Sequence, residues 1–95
     1  MEFEEVDAPP GWQFQIGPQV EGFLEGLVNS NTATFYVSPS QSTSLTLAEV
    51  STTSGSTWSP LPNGQWVRVS GGANNIQYRI NVPRGWQLKF VTAID

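Results

Sequence analysis

Apolar and polar residues alternate along most of this chain with the period of strands rather than helices. Trp12, Phe14 and Ile16 alternate with Gln13 and Gln15, and Gly17-Pro18 is expected to end that strand. Ala33, Phe35 and Val37 mark one face of another strand, with Thr34 and Tyr36 on the other face, until Ser38-Pro39 breaks it. Leu45 and Leu47 mark a strand between Thr43 and Ser51. Ile76, Tyr78, Ile80 and Val82 alternate with Gln77, Arg79 and Asn81. Trp86, Leu88 and Phe90 then form the inward face of a last strand, with Gln87 and Lys89 facing out.

Residues 20–28 read two ways. Phe23, Leu24, Leu27 and Val28 have helical spacing, but Gly22 and Gly26 would each cost a helix about 1 kcal/mol. A strand is therefore the better expectation. Turn residues punctuate the rest. Asn29-Ser30-Asn31 reads as a turn. Pro62-Asn63-Gly64, between Trp58/Leu61 and a returning strand over 65–70, is a hairpin signal, because Asn and Gly both tolerate positive φ. Gly71-Gly72 opens another turn, and Pro83-Arg84-Gly85 fits a tight turn with Gly where φ must be positive. The Ser/Thr-rich stretch 38–59 reads as strands with solvated faces rather than disorder, since Thr suits a pleated surface and apolar residues recur through it. The pattern predicts an all-β chain: a small antiparallel β-sandwich or barrel of about seven strands. Residues 1–11, acidic and then Ala8-Pro9-Pro10-Gly11, are expected to be an extended arm, with the sandwich domain over 12–95.

Composition narrows the functional classes. With 95 residues and 38% hydrophobic content, the chain is one domain with little core to spare. Small domains make up the margin with disulfides, metals or partners. There is no Cys and no His, so disulfides and Cys/His zinc sites are excluded and contact with neighbours remains. The same absence removes Ser-His and Cys-His nucleophilic catalysis. Glu21, Glu25 and Glu49 are the candidates outside the N-terminal segment for a glycosidase carboxylate pair, and surface positions account for them. Gly71-Gly72 lacks the Lys and helix of a phosphate loop, and no Asp/Asn series has calcium-loop spacing. The chain is thus expected to be no enzyme and to carry no cofactor or metal.

Charge is low and unevenly placed. Glu2, Glu4, Glu5 and Asp7 hold half the acids, while Arg68, Arg79, Arg84 and Lys89 supply every base. A net charge of -4 argues against nucleic acid as a partner, because phosphate neutralisation needs a basic surface. One reading of the asymmetry is a solvated tail beside an ordinary surface. The other is an acidic arm of one copy reaching Arg68, Arg79 and Arg84 of another in a homo-oligomer, a salt-sensitive contact where exposed. Met1–Ala8 has no apolar leader core, and no apolar run approaches a membrane span, so synthesis in the cytoplasm and no membrane partner are expected.

The tryptophans carry the remaining options. Trp12 and Trp86 are in phase with core positions. Trp58 and Trp66 flank the Asn63-Gly64 turn and are expected either to pair across a hairpin or to form an exposed platform for a sugar ring or a protein neighbour. Gln13, Gln65 and Gln87 beside Trp residues add hydrogen-bonding groups that suit carbohydrate.

The Gly55-Ser56-Thr57-Trp58 entry, the Tyr78-Arg79-Ile80 strand and the Pro83-Arg84-Gly85 turn resemble small β-rich virion proteins of tailed bacteriophages, over roughly residues 43–92. The resemblance implies a non-catalytic capsid decoration (cement) protein, located in the virion, bound to a major capsid protein or another virion protein. It carries over no catalytic residues. A carbohydrate-binding or tail-associated β-domain using exposed Trp58 or Trp66 is the alternative.

Overall fold

The computed structural model describes the backbone of residues 2–5 and 15–94 and the side chains of residues 20–93. The described residues form seven strands and no helix: β1 (Glu2–Glu5), β2 (Gln15–Val28), β3 (Thr32–Pro39), β4 (Ala48–Ser51), β5 (Ser59–Leu61), β6 (Trp66–Ser70) and β7 (Ile76–Ile94). All pairings are antiparallel, and the sheet curls until it nearly closes into a barrel. β6 lies between β1 and β3, and β3 lies between β6 and β7.

β7 organises the fold. It runs beside β2 along most of its length; on its other side the first half takes β4 and the second half takes β3. Its alternation sends Ile76, Tyr78, Ile80, Val82, Leu88 and Phe90 inward. They meet Ala33, Phe35 and Val37 from β3, Val50 from β4, Leu61 from β5, and Val67 and Val69 from β6. Phe90 is central, with its ring 5.7 Å from Phe35 and 5.2 Å from Tyr78, centroid to centroid. Trp86 packs half-buried against this cluster, as its phase predicts.

Long-range pairing revises several expectations. Residues 20–28 are strand, but Gly17-Pro18 do not end a preceding one. They sit at a register shift between Ile16 and Gln19 inside β2, because β7 offers partners on both sides of the interruption. Pro83-Arg84-Gly85 does not reverse the chain. Val82 pairs with Gly22 and Gln87 pairs with Val20, so Pro83–Trp86 form a wide bulge opposite Glu21 within one strand. Gly85 does take a positive φ of 82°. The Asn63-Gly64 turn makes no hairpin either: β5 pairs with β4, whereas β6 pairs with β3 and β1. Gly64 has positive φ, at 77°, but Asn63 does not, whereas the two-residue turns that match strand twist need positive φ at the first central position or at both. Leu45 is outside any strand and exposed, and β4 begins at Ala48.

The N-terminal segment is also revised. Glu2–Glu5 is not a free arm but an edge strand, with Glu2 opposite Ser70, Phe3 opposite Val69, Glu4 opposite Arg68 and Glu5 opposite Val67. An open edge of β6 presents unpaired backbone groups that even four extended residues can satisfy. The rest of the expected arm, including Asp7, and the core positions Trp12 and Phe14 lie outside the described residues.

Candidate interaction surface

The sheet scatters the basic residues expected to act together. Arg68 is exposed on β6, opposite Glu4 of β1 and Thr34 of β3. Arg79 lies in the first half of β7. Its Nε donates to Glu49 Oε1 at 2.8 Å, and its guanidinium sits 4.2 Å from the centre of the Trp58 ring. Arg84, in the bulge, is almost fully exposed, with its Nε 3.7 Å from Glu21 Oε2. Glu2, Glu4 and Glu5 are described only as strand backbone, beside β6.

The two candidate tryptophans are not a cross-strand pair. Trp66 stacks on Tyr36, its register neighbour on β3, with centroids 4.6 Å apart. Trp58 precedes β5 and has one face under Arg79, a cation–π contact. Both rings are half-buried, so each has already committed a face to its own chain.

Concavities are shallow. The polar trough along Ser38–Thr43, closed by Asn63 and Gly64, encloses roughly 410 Å³. Asn63 shapes it: its Nδ2 donates to Leu45 O at 2.9 Å, and the Gly64 N–H donates to Val37 O at 2.7 Å, tying the loop to the end of β3. Among the described residues, no group of three or more acidic side chains is placed to hold a metal ion.

The surface that stands apart is β2. From Leu24 to Val28 its even-numbered residues face the barrel: Leu24 is partly buried, Gly26 lies beneath the Tyr78 ring, and Val28 is buried. Its odd-numbered residues face out, leaving Phe23 63% and Leu27 57% exposed, with Val20 exposed 63% at the corner. A large hydrophobic side chain left this exposed forgoes most of the ~1.5–3 kcal/mol its burial would contribute.

The backbone of β2 is equally uncommitted on one side. Asn81 N–H donates to Leu47 O at 2.9 Å, so it points toward β4 and away from β2. Ile76 N–H donates to Ser30 O, just beyond β2, so the even residues of β7 point the other way. Phe23 is opposite Asn81, Glu25 opposite Arg79 and Leu27 opposite Gln77, which makes these the non-hydrogen-bonded pairs of the β2–β7 ladder. The N–H and C=O groups of Phe23, Glu25 and Leu27 therefore project from the outer edge of β2, where no described strand pairs with them. A hollow of roughly 240 Å³ adjoins this edge, lined by Val20, Glu21, Phe23, Leu24, Ile80 and Val82.

Sequence reasoning missed this edge, although its signal was present. Once 20–28 is a strand, Phe23 and Leu27 fall on the face opposite Leu24 and Val28. A strand apolar on both faces must be covered on both or expose one. Comparison of the chain with protein-family models, with curated proteins and with solved structures returns no match.

Proposed function

We propose that this chain is a non-catalytic structural protein that works by docking on other protein, and that the role is capsid decoration in a phage virion. The observation that supports docking is the edge of β2, where backbone groups that no described strand pairs with coincide with the exposed side chains of Phe23 and Leu27. Exposed apolar residues aligned on an open strand edge mark a protein contact, and monomeric proteins otherwise block such edges. The decoration role rests on the resemblance of residues 43–92 to small virion proteins, and the absence of His and Cys supports its non-catalytic part. Binding only to the assembled shell would stabilise the shell by mass action.

The carbohydrate reading is less favoured, because Trp58 and Trp66 each have a face occupied, by Arg79 and Tyr36. Sedimentation of the protein with gradient-purified shells tests the proposal. Wild type is expected to travel with the shells at fixed stoichiometry, and Phe23→Asp/Leu27→Asp to stay at the top of the gradient while remaining folded. Wild type left at the top, or glycan binding abolished by Trp66→Ala, would overturn it.

A further inference from the structure

We infer that the open edge of β2 takes its partner by strand addition, and that the partner is an extended segment that sets a basic residue between two apolar ones on one face, at every second position. The inference rests on the docking reading above and names the chemistry of what docks. Three features of the edge point to it.

The first is backbone. Phe23, Glu25 and Leu27 present three N–H and three C=O groups in one row, the ladder an incoming strand needs. The second is charge. Glu21 and Glu25 are the charged residues of β2, and the strand carries no base. Arg79 faces Glu25 across the ladder, but it is held by Glu49 and lies over Trp58. Glu25 thus makes no ion pair among the described residues, and Glu21 has only the long, solvent-exposed contact to Arg84. Bases on the incoming strand would meet these carboxylates, since opposite charges across a ladder stabilise pairing. The third is shape. Apolar positions would fall beside Phe23 and Leu27, and the adjoining hollow has room for a side chain.

A second copy of this chain fits worse. In an antiparallel pairing of two β2 edges, the register that sets Phe23 against Leu27 also sets Glu25 against Glu25, and like charges directly opposite oppose pairing.

The test uses the full chain and a fluorescein-labelled heptapeptide with valine at its second and sixth positions, lysine at the fourth and threonine elsewhere, with glutamate in place of the lysine as control. The basic peptide is expected to bind saturably and to shift the amide resonances of Phe23, Glu25 and Leu27. Glu25→Lys should weaken binding roughly tenfold, equivalent to 1.4 kcal/mol. Glu25→Pro removes an N–H of the outer edge and should abolish it; Glu25→Lys keeps the test valid if the proline variant fails to fold. Equal binding of both peptides, no binding, or binding indifferent to Glu25→Lys would overturn the inference. So would self-association of the free protein through β2, which would make a second copy the occupant. Co-sedimentation with shells alongside a failed peptide arm would remove strand addition and leave the docking reading standing.

Discussion

Gly26 is the point where β2 can lie against the barrel at all. It is opposite Tyr78 in the β2–β7 register, and a Cβ built there would overlap the hydroxyl end of the phenol. That ring cannot swing clear, because it is buried and packed against Phe90 at 5.2 Å. Gly26→Ala therefore forces overpacking worth ~1–3 kcal/mol. It also restricts the unfolded chain, a gain of ~0.4–1 kcal/mol that is outweighed. The two effects separate in a Tyr78→Leu background, where the ring is gone and Gly26→Ala should become neutral or slightly stabilising. The coupling between the positions is then about 2 kcal/mol. Urea unfolding followed by tryptophan fluorescence reads it: at a slope of about 1 kcal/mol/M, and with overpacking of about 2 kcal/mol partly offset by the chain-entropy gain, Gly26→Ala lowers the wild-type midpoint by about 1–1.5 M and leaves the Tyr78→Leu midpoint unchanged or raised by up to about 1 M. Equal effects in both backgrounds, or stabilisation of wild type, would refute the claim that the ring and the glycine share one space.

Burial holds the Tyr78 hydroxyl above the ordinary tyrosine value of 10.0, so above that pH the unfolded chain loses a proton that the folded chain keeps. Stability should fall as pH rises past 10.0, and Tyr78→Phe should flatten the fall in unfolding curves across that range. Glu49→Gln removes the charge behind the 2.8 Å contact to Arg79 while leaving an acceptor oxygen; at this partly exposed site the expected loss is about 0.5–1 kcal/mol, with a change in Trp58 emission as its cation loosens. Gly64→Ala places a Cβ at a φ of 77° and should cost about 1–2 kcal/mol in thermal or urea unfolding. Asn63→Ala removes the donor to Leu45 O and should cost about 1 kcal/mol, with faster amide exchange confined to residues 43–46.

Much of the barrel is legible in the sequence because its signal is local. The alternations at Ala33–Val37, Ile76–Val82 and Leu88–Phe90 name residues that are buried, and positive φ falls on Gly64 and Gly85 where turn chemistry asks for it. What fails is pairing, which depends on residues far away in the chain. Pro83-Arg84-Gly85 suits a reversal and a bulge equally well, and only the presence of β2 along both halves of β7 decides between them. Asn63-Gly64 likewise says that the chain turns, not that β5 and β6 are neighbours. Trp58 and Trp66 looked like a pair because they flank that turn; their actual companions, Arg79 and Tyr36, come from strands brought alongside by the fold. Glu2–Glu5 is too short to show a period, and an edge on β6 recruits it. The β2 surface lay hidden in a choice between helix and strand, because a helix would have placed Phe23, Leu24, Leu27 and Val28 on one stripe.

The account rests on β2 being an open edge in the free protein, and residue-resolved amide exchange measures that directly. In the even-odd pattern derived from the ladder, the amides of Leu24, Gly26 and Val28 are protected by β7, whereas those of Phe23, Glu25 and Leu27 exchange close to the rate of unstructured chain. Equal protection of both sets would mean that the edge is already occupied, and would contradict the account.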